Sequence, residues 1–137
     1  MDTSLIKKLI TPKTKAIMAV HLYGNPCNMR QLKEICRVNN LYLIEDSAEA
    51  LGSSYENKAI GSFGHVSTFS FFGNKTITTG EGGMVASNEK EIIDKVRGLK
   101  NQGASDEKYW YKEVGYNYRM TNIVAAIGLG QLKEFNK

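Results

Sequence analysis

A strand, a helix and a strand follow one another between residues 14 and 46, and this alternation constrains the fold more than any other feature of the chain. "TKAIMAV" (14–20) is a short apolar run that reads as a buried strand. "NMRQLKEICRVNN" (28–40) carries Met29, Leu32, Ile35, Cys36 and Asn39 at helical spacing, which predicts an amphipathic helix. "LYLIED" (41–46) is a second apolar run and closes in two acids. Further strands are expected at "STFSFF" (67–72) and "GMVAS" (83–87). Helices are expected near the start, in "TSLIKKLITPKT", then at 89–99 with Asn88 as candidate N-cap, and at 122–135 with Thr121 as cap. Ala125, Ala126, Gly128 and Gly130 in the last helix suggest close packing against another surface. Apolar strands interleaved with helices predict an α/β fold with a mostly parallel sheet flanked by helices.

The chain has 137 residues, one domain's worth, and 42% of them are hydrophobic, enough for a sizeable core. Its longest apolar stretches fall far short of a membrane span, and its start lacks the apolar segment of a signal peptide. Cys27 and Cys36 do not make a disulfide framework, and with His21 and His65 they offer no metal-ligand spacing. A cytoplasmic, reduced, metal-free protein is the simplest expectation. The net charge is +4, but the basic residues are scattered among acids, as in "KEIIDKVRGLK", so nucleic acid is not an expected partner.

"FSFFGNKTITTGEGG" (69–83) places one cation, Lys75, just past an apolar strand and among glycines. A phosphate loop needs glycine immediately before the lysine, and Asn74 stands there. A dinucleotide fingerprint must open a helix, whereas Gly80, Gly82 and Gly83 precede a strand. Those glycines read as a tight reversal that returns the chain to the sheet. Ligands of such sheets sit beyond the carboxyl ends of the strands. Asp46 closes one strand there and Lys75 follows another. Taken singly, each reads as a solvated side chain. Together they suit a lysine that forms a Schiff base with pyridoxal phosphate, an acid for its pyridinium nitrogen, and a hydroxyl, Ser70, for its phosphate.

"IEDSAEALGSSYENKAIGSFGHVSTFSFFGNKTITTGEGGMV" closely resembles the cofactor-binding core of the DegT/DnrJ/EryC1/StrS family of sugar aminotransferases, and "VGYNYRMTNIVAAIGLGQL" resembles that family's downstream motif. "HLYGNPCNM" with "SFFGNKTITTGEGGM" is most similar to the family's perosamine synthase branch. The resemblance runs over essentially the whole chain. It implies part of the large domain of a fold-type I enzyme dependent on pyridoxal 5'-phosphate, spanning 1–137, with the N-terminal part and the C-terminal small domain absent.

Residue by residue, the resemblance puts Lys75 at the Schiff-base position and Asp46 at the partner of the pyridinium nitrogen. Glu49 matches the position beside the ring, and Ser70 the phosphate-binding serine. Asn117 matches an asparagine that reaches the phosphate of a neighbouring subunit's cofactor, which implies a homodimer with shared sites. Arg119 is a candidate for the carboxylate of the amino donor, with a structural ion pair as its rival reading. The implied reaction moves an amino group from glutamate to a nucleotide-linked 4-keto-6-deoxy sugar. Dehydratase relatives carry histidine at the lysine position, so Lys75 argues for transamination. The family's ring-stacking aromatic and first phosphate loop precede the part matched here, so the isolated chain is expected to be inactive. An inactive binding or scaffold segment, and a phosphate-binding α/β domain of another nucleotide enzyme, are the alternatives.

Overall fold

In the computed structural model, which describes residues 1–135, the chain begins with a short helix, α1 (Thr3–Leu9). The Asp2 carboxylate accepts from the Ser4 N–H at 2.9 Å and caps it. Lys7 and Lys8 lie in its last turn, where a cation suits the helix dipole. Strand β1 (Ala16–Val20) turns Ile17 and Ala19 into the core and leaves Met18 and Val20 exposed on its other face. Helix α2 (Met29–Asn39) buries Met29, Leu32, Ile35 and Cys36 along one stripe. The Asn28 side chain caps its start, and Asn40 ends it in a left-handed conformation (φ 52), with its N–H on the last carbonyls. Burial pushes the Cys36 thiol up.

Strand β2 (Tyr42–Asp46) pairs parallel with β1, from Ala16 against Tyr42 to Val20 against Asp46. A two-residue hairpin follows, β3 (Ser54–Tyr55) with β4 (Lys58–Ala59). Its turn residues Glu56 and Asn57 both have positive φ, as the tight hairpin turn requires. Strand β5 (Val66–Ser70) lies parallel to β2, and β6 (Gly83–Ala86) returns antiparallel to β5. The sheet order is β1-β2-β5-β6, parallel but for its last strand. The strand expected over 67–72 ends at Ser70; Phe72 keeps a single bridge to Gly80 as the chain leaves the sheet.

Helix α3 (Lys90–Lys100) has Glu89, not Asn88, at its N-cap, without a side-chain cap. Ser87 Oγ accepts the Glu89 N–H at 2.9 Å, in the turn just before the helix. Residues 101–120 form an irregular excursion tied back to the end of α3, with Tyr109, Trp110, Tyr111 and Tyr118 exposed. Helix α4 (Asn122–Glu134) is capped by Thr121, as expected, and exposes Ile123, Ile127 and Leu129. Of its small residues, Gly128 packs closely: a Cβ there would lie 2.9 Å from the Thr79 methyl, whereas Gly130 has open space. No helix among the described residues is long and apolar enough to cross a membrane.

Candidate active site

Parallel pairing brings the carboxyl ends of β2 and β5 side by side. Asp46 is in register with Thr68, and paired residues of adjacent strands share a face. Asp46, Thr68 and, two residues on, Ser70 therefore project from one face at one edge of the sheet. Asp46 Oδ1 accepts from the Ala48 N–H at 3.1 Å. Ser70 Oγ accepts from the Phe72 N–H at 3.3 Å, and the Lys75 N–H bonds the Phe72 carbonyl at 3.0 Å, so the chain folds back at once after the strand.

That turn brings Lys75 to a carboxylate. Its Nζ lies 3.6 Å from Glu49 Oε1, with the lysine side chain only 18% exposed. The other oxygen, Glu49 Oε2, accepts from the Tyr23 N–H at 2.7 Å. Tyr23 sits in the 3-10 turn after β1 with φ 53, an uncommon backbone state for an aromatic residue, and its side chain is largely exposed. Loops from the ends of β1, β2 and β5 thus meet at one ion pair. Among the described residues Lys75 pairs with Glu49, and Asp46 is outside ion-pair distance of it.

The glycine-rich reversal behaves as expected. Gly80 and Gly82 have φ +80 and +125, and a Cβ on Gly83 would stand 2.7 Å from the Phe69 carbonyl oxygen. Met120 and α4 close over this loop: the Thr78 N–H donates to Gln131 Oε1 at 2.8 Å, and Met120 Cε reaches Gly82.

Asn117 and Arg119 have partners of their own. Asn117 bridges Asn101 through the backbone, and Arg119 Nη1 donates to Asn101 Oδ1 at 3.0 Å. Among the described residues no hydrogen bond or ion pair joins either to Asp46, Glu49, Ser70 or Lys75. The partner of Arg119 is thus an amide rather than an acid.

Sequence reasoning passed over Glu45 and His21. Both are fully buried, with His21 Nε2 3.2 Å from Glu45 Oε2. The Gly61, Phe63 and Gly64 N–H groups also donate to the Glu45 carboxylate. Burial pushes this carboxyl up, but His21 and those N–H groups outweigh it and hold Glu45 below the usual carboxylate range. The signal was present in the strand period: if Leu43 is core, Glu45 two residues on faces the core too. Ser47 continues that face, fully buried, and its Oγ is the one buried side-chain oxygen or nitrogen among the described residues without a hydrogen-bond partner.

The side chains of this edge are one amine, Lys75, two carboxylates, Asp46 and Glu49, and the hydroxyls of Thr68 and Ser70, with open space around Gly73 and Gly80. They suit an aldehyde cofactor with a protonated ring and a phosphate.

Comparisons with known proteins agree with this chemistry. A GDP-perosamine synthase of Escherichia coli O157:H7 is 59% identical over 135 residues, covering 98% of this chain and 37% of that protein. The structure of Helicobacter pylori PseC, an aminotransferase involved in the biosynthesis of pseudoaminic acid, superposes with a TM-score of 0.94 at 36% identity, over 99% of this chain and 38% of that one. The structure of E. coli GDP-4-keto-6-deoxy-D-mannose-3-dehydratase with bound hydrated PLP matches with a TM-score of 0.90 at 31% identity, over 99% of this chain and 40% of that one. The chain thus spans well under half the length of these relatives. The model of the DegT/DnrJ/EryC1/StrS aminotransferase family matches residues 1–137, and with the fold and the strand-edge residues described above, the chain belongs to that family.

Proposed function

We propose that this chain forms the central part of the cofactor site of an aminotransferase that uses pyridoxal 5'-phosphate, takes its amino group from glutamate, and acts on a nucleotide-linked 4-keto-6-deoxy sugar. The observation that carries this reading is Lys75 Nζ held 3.6 Å from Glu49 at the strand edge that also bears Asp46 and Ser70. Likeness to GDP-perosamine synthases supports the sugar-nucleotide substrate, and a place in surface-polysaccharide (O-antigen) sugar synthesis is part of the same proposal. Lysine rather than histidine at position 75 supports transamination over dehydration.

When bound, the cofactor supplies an aldehyde for a Schiff base and a ring that takes up electrons. The chain's own residues do the rest. Lys75 Nζ anchors the aldehyde and, once released, accepts and returns the proton of the substrate carbon. Glu49 keeps that amine at the strand edge while it is free. The Asp46 carboxylate would hold the ring nitrogen and favour its protonated form, and Ser70 would offer its hydroxyl to the phosphate. Asn117 serves the cofactor phosphate of a neighbouring subunit in a cytoplasmic homodimer with shared sites. Arg119 would have to leave Asn101 to take the carboxylate of the amino donor. The 137 residues are read as part of the large domain of a longer subunit, and by themselves they do not turn over.

The test is to add pyridoxal phosphate, reduce with borohydride, and map the modified residue by mass spectrometry. A stoichiometric adduct on Lys75 is expected. Labelling spread over surface lysines, or its persistence in Lys75→Ala, would sink the reading.

A further inference from the structure

Asp46 has a neighbour that the functional reading does not use. Glu45 precedes it in β2, and successive side chains of a strand point to opposite faces, so the two carboxylates leave the strand in opposite directions. Glu45 enters the packed side beneath α2, where it and His21 are both fully buried. An apolar side chain of similar volume is often at least as stable as a buried charge. What distinguishes this one is the set of chain segments that its hydrogen bonds join.

The loop before β5 is shaped around it. The N–H groups of Gly61, Phe63 and Gly64 reach the carboxylate at 2.9, 2.7 and 2.6 Å. This approach depends on absent side chains: a Cβ on Gly64 would lie 2.6 Å from the Leu43 carbonyl oxygen, and Gly61 has φ +89. Such a run of converging N–H groups is an anion-binding nest, here filled by the protein's own carboxylate. His21 donates from Nε2, because its Nδ1 accepts the Cys27 N–H at 3.1 Å. One buried charge therefore ties the residue after β1, the end of β2 and the entry to β5. Those segments deliver Tyr23, Asp46 and the Ser70–Lys75 turn. The backbone repeats the tie, with the His21 N–H on the Asp46 carbonyl at 3.1 Å and the Ser47 N–H on the Thr68 carbonyl at 2.9 Å.

We propose that Glu45 and His21 are positioning residues for Asp46, locking the ends of β1 and β2 to the start of β5 so that the Asp46 carboxylate stands in one direction beside Ser70. This rests on the reading of Asp46 as the ring-nitrogen partner, but the ordering it claims exists without cofactor and is measured without it.

Residue-resolved amide exchange on the full chain tests it, in Glu45→Gln, His21→Leu and His21→Gln. The glutamine at 45 keeps the shape but turns an NH₂ group toward donors. Leucine at 21 removes the ring donor, whereas glutamine places an N–H near the site of Nε2. The Ala48 and Ser47 amides should exchange at least about tenfold faster in Glu45→Gln and His21→Leu, while α2 amides keep their protection. His21→Gln should bring Ala48 back to within about threefold of wild type. Unchanged Ala48 and Ser47 exchange in a folded Glu45→Gln or His21→Leu chain would overturn the proposal, as would His21→Gln behaving like His21→Leu. If Glu45→Gln does not fold, the two His21 variants decide. A second arm adds pyridoxal phosphate and borohydride: the disruptive variants should still be labelled on Lys75, with a displaced visible absorption band before reduction. A band identical to wild type would count against positioning. Absence of the adduct from the wild-type chain would strike the functional reading alone, and the exchange data would still decide the positioning.

Discussion

Lys75 and Glu49 face each other at 3.6 Å across the gap between the loops that follow β5 and β2. The contact is a partly exposed ion pair, of a kind worth about 0–1 kcal/mol. Lys75→Ala should therefore leave the melting temperature almost unchanged while abolishing both the borohydride-reducible adduct and transamination in the complete enzyme. Normal cofactor spectra with retained turnover would place the reactive amine elsewhere.

Asp46→Asn separates charge from hydrogen bonding. The amide oxygen still accepts from Ala48, so the fold should hold, but the negative charge facing the ring is lost. The complete enzyme should lose about a hundredfold or more in kcat, comparable with removing a preorganised electrostatic contact. Steady-state kinetics within a few-fold of wild type would remove Asp46 from the site.

Asn117 is assigned to a neighbour's cofactor, and subunit mixing tests that. Lys75→Ala and Asn117→Ala subunits are each inactive alone in this reading, and mixed dimers regain one intact site. Absence of recovery despite demonstrated exchange of subunits would put both residues in one chain.

Glu45 sets an acid limit on stability. Its carboxyl is held below the usual range in the folded chain, whereas an unfolded chain's glutamate titrates at about 4.3. The folded state then binds fewer protons than the unfolded one. The stabilisation is complete above that unfolded value and is lost as pH falls through the lower folded one. Thermal melts of wild type should drop on acidification below about pH 4.3. The same melts of Glu45→Gln, lower throughout, should drop less steeply.

Ser47 carries a cost that substitution removes. Its buried Oγ has no partner, and an unsatisfied buried hydroxyl costs about 1–3 kcal/mol. Ser47→Ala should raise the unfolding free energy by about 1 kcal/mol, read from denaturant midpoints. A loss of stability would show that the hydroxyl is hydrogen-bonded in the folded chain after all.

The strand–helix–strand unit was legible because its burial is periodic: Ile17 and Ala19, the α2 stripe and Leu43 all follow from spacing. The hairpin β3–β4 was not, since two-residue strands carry no alternation and its turn uses Glu56 and Asn57 rather than a glycine pair. Asn88 misled because the helix begins one residue later than its capping preference suggests, with Glu89 in extended backbone at the N-cap. The placement of Asp46 and Lys75 at adjoining strand ends was readable from their positions after apolar runs. Glu49 was not readable from spacing, because what brings it to Lys75 is the turn from Ser70 to Lys75 and the Tyr23 N–H, both tertiary. Glu45 was hidden by its position at a strand end, where acids are normally solvated.

The chain contains a single tryptophan, Trp110, and it stands 62% exposed at the tip of the excursion between α3 and α4. Tryptophan emission from this chain, excited beyond the tyrosine band, is therefore an optical probe of one place. It is blind to the core that α2 packs on the sheet, and it registers whatever comes to cover residues 104–118. A blue shift without any change in backbone circular dichroism would mark that event in real time, without a label.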